Sequence, residues 1–346
     1  MTVFVDSNSL SANVLLPWSI CAIIQKFLMF FMAAKIKIFN KSKLMVLSLS
    51  IREQKKSKNR KIITIMTHNY PLGEIASQVR RDIVRMVNLA ASGHPGGSLS
   101  STEIMTALFF SEMNHNPANW RRDGKGKDMF FLSAGHLSPV FYSILARSGY
   151  FPVSELASFR KLGSRLQGHP SVERGLPGVH MASGSLGQGL SVACGAALTK
   201  RIEGENNFIY VLMGDGESQE GQVWEAAMFA AHHKLSNIIA FTDWNGQQID
   251  GPNEKVMSLG DLEAKWRAFG WDVVVADGHD IEAIKAVIRG AKEASADGKP
   301  KMLLMKTEMG KEVDFMQGTH HWHGKAPNAE QTEKALSQLK ETIGDF

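Results

Sequence analysis

The chain has 346 residues, 44% apolar and 21% charged, the balance of a soluble globular protein with enough material for a sizeable core. Its two cysteines, Cys21 and Cys194, exclude a disulfide framework and a Cys-x-x-Cys pair, and the reducing cytoplasm is the expected compartment. The net charge of +5 belongs to one end: residues 1–65 hold 11 Lys/Arg against 2 Asp/Glu, and the remainder holds 28 against 32. The basic pI therefore implies no nucleic-acid surface on the folded part.

Residues 14–34 are mostly apolar but are interrupted by Pro17, Gln25 and Lys26, and a basic run follows over 35–61. As a membrane anchor this segment would keep its basic flank cytoplasmic. A signal peptide fits poorly, because the basic residues follow the apolar stretch instead of preceding it. The reading preferred over an anchor is a start at Met66, with residues 1–65 an over-extended reading frame. Residues 66–346 are then expected to form one α/β domain of about 280 residues.

Apolar residues at helical spacing (Ile75, Val79, Ile83, Met86, Val87, Ala90) predict a helix over 71–92, stopped by Gly93. Ser100 and Glu103 have capping-box spacing ahead of a second apolar helix over 104–110. Short apolar runs predict strands over 129–133, 208–213, 237–243, 271–276 and 301–307. Between and after them, helices are expected near 136–148, 187–202, 220–234, 259–269, 280–296 and 328–342. Apolar strands separated by helices predict an α/β fold: a parallel sheet of about five strands, covered by helices on both faces. Right-handed crossovers then gather the loops after successive strands at one edge, where such sheets bind ligands.

Gly214-Asp215-Gly216 falls directly after a predicted strand, where a glycine-rich turn lets N–H groups approach a phosphate. Asn245 follows thirty residues on, after the next strand, so one βαβ crossover separates the two. Either motif alone reads as a helix cap or an ordinary turn. Together at this spacing they suit a hard divalent ion held by a carboxylate, an amide oxygen and a main-chain carbonyl. A second stretch, Gly184-Ser185-Leu186-Gly187-Gln188-Gly189, opens the helix predicted over 187–202. It reads as a tight turn with close packing, and it is no P-loop because no Gly-Lys-Ser/Thr ends it. Four histidines sit in Gly- and Pro-rich loops: His94 in SGHPGG, His136 in LSAGH, His169 in LQGHP and His323 in HWHGKAP. A transition-metal site at His320, His321 and His323 is disfavoured, since no Cys, Asp or Glu completes a tetrahedral set nearby.

The stretch GDGESQEGQVWEAAMFAAHHKLSNIIAFTDWNGQQIDG resembles the thiamine-diphosphate fingerprint, and the transketolase family in particular. The four histidine loops resemble that family's active-site loops in the same chain order, and the likeness covers roughly residues 70–336. It implies the PP-type thiamine-diphosphate-binding fold, with Mg²⁺ (Mn²⁺ or Ca²⁺ as substitutes) on Asp215, the Asn245 side chain and the Gln247 carbonyl. It further implies that Gly216 meets the diphosphate. Gly184 and Leu186 would lie against the aminopyrimidine and linker, and Glu220 near the subunit contact that holds the cofactor. His94 and His323 would contact donor-sugar hydroxyls and assist proton transfer, His136 would lie near the diphosphate and reaction centre, and His169 near the donor's terminal hydroxyl. Two positions depart from the pattern: Ala134 stands where Lys or Asn is common, and His180 where Glu usually precedes the glycine loop.

The family's pyrimidine-binding domain, with its activating glutamate, does not appear in these 346 residues. The resemblance is therefore to the N-terminal subunit of a split transketolase. It implies a C-terminal partner subunit that also grips the sugar phosphate, a heterotetramer, and two-carbon ketol transfer from a ketose to an aldose. An unusual branched or sulfonated sugar donor is one alternative, and a non-catalytic Mg²⁺–diphosphate-binding module another. No nucleic acid or membrane partner is expected.

Overall fold

The computed structural model describes residues 70–346, so the predicted extension over 1–65 lies outside the described residues. The first half contains α1 (Leu72–Leu89), α2 (Pro95–Ser100), α3 (Thr102–Ala107), β1 (Met129–Leu132), α4 (Ser138–Arg147) and α5 (Gly189–Ile202). Next come β2 (Ile209–Gly214), α6 (Gly221–His232), β3 (Ile238–Trp244) and a two-residue hairpin, β4 (Gln247–Gln248) with β5 (Gly251–Pro252). The chain finishes with α7 (Leu262–Ala268), β6 (Asp272–Asp277), α8 (Ile281–Glu293), β7 (Lys301–Lys306) and α9 (Ala329–Gln338).

Five strands form one sheet in the order β1-β2-β3-β7-β6, and every neighbouring pair is parallel. Because successive side chains point to opposite faces, each apolar strand feeds two cores. Phe130, Leu132, Tyr210, Leu212, Ile239, Phe241, Leu303 and Met305 pack on one side with α1, α3, α4 and α8. Phe131, Val211, Met213, Ala240, Met302 and Leu304 pack on the other with α5, α6 and α7. The register places Gly214 beside Asp243 and Asp243 beside Met305, so β2, β3 and β7 end level with one another.

The predicted capping box at Ser100 and Glu103 does not form. Ser100 is the last residue of α2, and α3 begins at Thr102 with no side-chain cap. Both side chains are drawn to stronger partners. The Ser100 hydroxyl donates to the Asp243 carboxylate at 2.6 Å, and Glu103 is buried between Arg80 and His279. The helix expected over 328–342 stops at Gln338, because the residues beyond it bond back to α1.

Candidate active site

Two loops converge at the C-terminal edge of the sheet. Asp215, straight after β2, is 2% exposed, and its carboxylate accepts the N–H of Gly216 at 2.7 Å and of Gly246 at 2.6 Å. Gly246 stands at φ 74°, a left-handed turn that suits glycine and brings the chain after β3 back over β2. Asn245 is fixed beside it. Its Nδ2 donates to Asp243 Oδ2 at 2.9 Å, which identifies the other end of the amide as the acceptor oxygen, bonded here to the Gln247 N–H at 3.0 Å. The Gln247 Oε1 is buried without a partner among the described residues. Gly216 gives its own N–H to Asp215. A Cβ there would come within 3.3 Å of Gln248, so glycine keeps the floor of the turn low.

The four histidines predicted from separate loops form one cluster. Ring centroids lie 5.3 Å apart for His94–His136, 5.8 Å for His94–His323, 6.1 Å for His94–His169 and 5.0 Å for His136–His323. Burial is the first cause of a lowered pKa in each; it takes His94 to about 4 and His136 well below its ordinary value. Neighbouring imidazoles and Arg160 push the same way at His94. At neutral pH the cluster therefore presents uncharged rings, each with one N–H donor and one acceptor nitrogen. The Nδ1 atoms of His94 and His323 are buried with no hydrogen-bond partner among the described residues, which leaves them open to a ligand.

The glycine loop lies between the histidines and the Asp215 turn. Gly184 sits beside the His169 ring, 3.5 Å from where a Cβ would be, and Leu186 is half-buried. Glu220 is exposed, with its side chain against Gly187. His180 is placed apart: its ring packs on Trp120 and Phe131, and Nδ1 bonds the Arg122 carbonyl at 2.9 Å. Ala134 is fully buried.

Three residues that sequence reasoning passed over belong to the site. Asp243, at the end of β3, takes the hydroxyls of Ser100 and Thr307 as well as the Asn245 amide. An acid ending an apolar strand beside Gly214 was the available signal. Glu217 is buried under the glycine loop, and Arg160 lies near the histidines with its Nη1 on Ser92 at 2.7 Å. Nothing in the local sequence of Arg160 marks it out.

The electrostatics of the Asp215 turn suit a cation. Burial first, and then the Asp243 carboxylate, push the Asp215 carboxyl up to about 7, against the opposing pull of the Gly246 and Gly216 N–H groups. Among the described residues no cluster of three His, Cys, Asp or Glu side chains is poised to hold a metal. The Asp215 carboxylate and the Asn245 amide oxygen are donors of the kind that a hard divalent ion takes.

The family model for the transketolase thiamine diphosphate binding domain matches residues 73–344. A 6-deoxy-6-sulfo-D-fructose transketolase subunit from Clostridium sp. is 41% identical, the match covering 77% of this chain and 94% of that protein. An apulose-4-phosphate transketolase subunit from Actinobacillus succinogenes is 38% identical over 77% of this chain and 95% of its own length. Among solved structures, the transketolase of Pichia stipitis in complex with sedoheptulose-7-phosphate superposes with a TM-score of 0.73 at 33% identity. That match covers 80% of this chain but 41% of the solved one, so the chain spans about two fifths of such transketolases. By the family match and these identities, the chain belongs to the transketolase family, in the part of it that forms the thiamine-diphosphate-binding domain.

Proposed function

We propose that this chain is the diphosphate-binding subunit of a split, Mg²⁺-dependent transketolase that moves a two-carbon ketol unit from a ketose to an aldose acceptor. The observation that carries this reading is the single edge at which the Asp215 turn, the Asn245 loop and four uncharged imidazoles meet. A mere diphosphate-binding module has no use for the imidazoles. The relatives favour a donor with an anionic terminal group, sulfonate or phosphate, and the partner subunit carries the groups that grip it. That partner also supplies the pyrimidine-binding domain, and two copies of each chain form the heterotetramer.

Asp215, the Asn245 amide oxygen and the Gln247 carbonyl would hold the ion, with Asp243 fixing the Asn245 amide in that sense. Gly216 would keep the turn close to the diphosphate, Gly184 and Leu186 would lie against the aminopyrimidine and linker, and Glu220 would lie near the contact with the partner subunit. Bound thiamine diphosphate supplies the carbon nucleophile and the electron sink. His94 and His323 hold donor hydroxyls through their buried Nδ1 edges and accept the hydroxyl proton as the carbon–carbon bond breaks. His136, the more buried, would lie beside the diphosphate, and His169, the more exposed, would contact the donor's terminal hydroxyl.

Co-expression with the C-terminal partner tests this directly. The pair is expected to transfer ketol units and each chain alone is not; transfer by this chain alone sinks the split reading. Mg²⁺ with thiamine diphosphate should raise the melting temperature of the pair, and Asp215→Ala should abolish that shift. Comparing 6-deoxy-6-sulfo-D-fructose, apulose-4-phosphate and an unbranched ketose phosphate as donors separates the substrate alternatives by kcat/KM.

A further inference from the structure

We propose that Glu217 is a positioning residue whose carboxylate fixes the glycine loop, the Asp215 turn and the His136 loop in their binding arrangement. The cofactor half of this proposal rests on the function proposed above. Glu217 is 2% exposed and sits under all three segments. One carboxylate oxygen, Oε1, accepts the Gly187 N–H at 2.8 Å and the Ser133 hydroxyl, and Oε2 accepts the Gly214 N–H at 3.1 Å. Ser133 Oγ in turn accepts the Gly189 N–H at 3.0 Å. Ser133 leads from β1 into the loop bearing His136, Gly187 and Gly189 belong to the glycine loop, and Gly214 ends β2 immediately before Asp215. One side chain therefore joins segments 84 and 30 residues away in sequence.

Burial raises the Glu217 pKa, and the Ser133 hydroxyl and the Gly187 and Gly214 N–H groups oppose that rise by favouring the ionised form. All three donors are uncharged, and they approach both oxygens of the group. An amide would turn an N–H toward at least one of them, leaving two donors facing each other in a buried site. Shortening the side chain to aspartate would withdraw the acceptor from segments that converge on it from different directions. A buried acid that serves only global stability would not need its partners distributed over three separate ligand-binding loops. Buried polar nodes of this kind specify one arrangement when every member is satisfied.

The test uses the full chain, alone for amide exchange and with its partner for cofactor binding. In Glu217→Gln, exchange should speed up in the peptide spanning 183–190, while peptides from β2 and β3 keep wild-type protection. Affinity for thiamine diphosphate at fixed Mg²⁺, read by tryptophan fluorescence, should weaken roughly 10–100-fold, the range typical when an outer partner of a bound group is lost. Ser133→Ala, which leaves the Gly187 and Gly214 bonds in place, should show a smaller change of the same kind. The double variant should fall short of the product of the two effects, because the residues share a bond. A folded Glu217→Gln with wild-type exchange over 183–190 and wild-type affinity overturns the proposal. If that variant does not fold, wild-type behaviour of Ser133→Ala on both readouts overturns it equally. A wild-type pair that binds no thiamine diphosphate overturns the functional reading and the cofactor half together, and exchange in the chain alone then decides the loop arrangement separately.

Discussion

At the scale of single residues, burial keeps the four clustered imidazoles neutral. His94 is held at about 4 against an ordinary 6.5, so between these values the unfolded chain takes up a proton that the folded chain refuses. Stability linked to His94 is therefore fully present above pH 6.5 and falls as the pH drops toward 4. Denaturant titrations at pH 7, 5.5 and 4.5 should show a shallower acid loss in His94→Gln than in the parent, and equal slopes would refute the buried neutral form. The candidacy of these histidines was legible from their Gly- and Pro-rich loops. That they form one cluster was not, because no local pattern encodes a distance between residues as far apart as His94 and His323.

At the scale of elements, strands were the easier reading. Each predicted run lies within one residue of the observed strand at either end, because five apolar runs flanked by turn residues have few other uses. Helix ends drifted further, since capping residues have competing partners, as the Ser100–Asp243 bond illustrates. The start of α5 is set by close approach: a Cβ on Gly189 would lie 2.3 Å from that of Ser133. Gly189→Ala should cost about 1–3 kcal/mol in urea unfolding, as over-packing does, and a neutral result would mean that the loop relaxes freely. Further along α5, Cys194 is 3% exposed and burial pushes its thiol up to about 12. Alkylation at Cys194, mapped by mass spectrometry, should be slow in the native protein and fast in denaturant.

For the whole molecule, the closure of the chain is polar. The residues after α9 return to α1: Arg81 bonds the Asp345 carboxylate at 2.7 Å and the Leu339 carbonyl at 2.7 Å, and Gln78 receives the Thr342 and Ile343 N–H groups. Beneath them Arg147 on α4 pairs with the fully buried Asp82 on α1 at 2.8 and 2.9 Å and reaches the Gly344 carbonyl at 2.9 Å. Arg147→Met would leave the Asp82 carboxylate with the Ser143 hydroxyl as its remaining side-chain partner, and should cost about 3–5 kcal/mol by denaturant titration. A loss below 1 kcal/mol would mean that water reaches Asp82. No local pattern announces this closure, because acids and arginines on a helix read as its solvated face until a second element covers them.

Sequence alone determined what each segment is locally: apolar runs become buried parallel strands, and glycine-rich turns after them become ligand loops, since both follow from short-range sterics and hydration. It also marked Asp215, Asn245 and the loop histidines, which the fold brings into two neighbouring groups. Tertiary structure decided how those residues are held. Asp243, Glu217 and Arg160 matter through neighbours far away in the chain, and a buried charge acquires its partners only when the sheet brings separate loops to one edge.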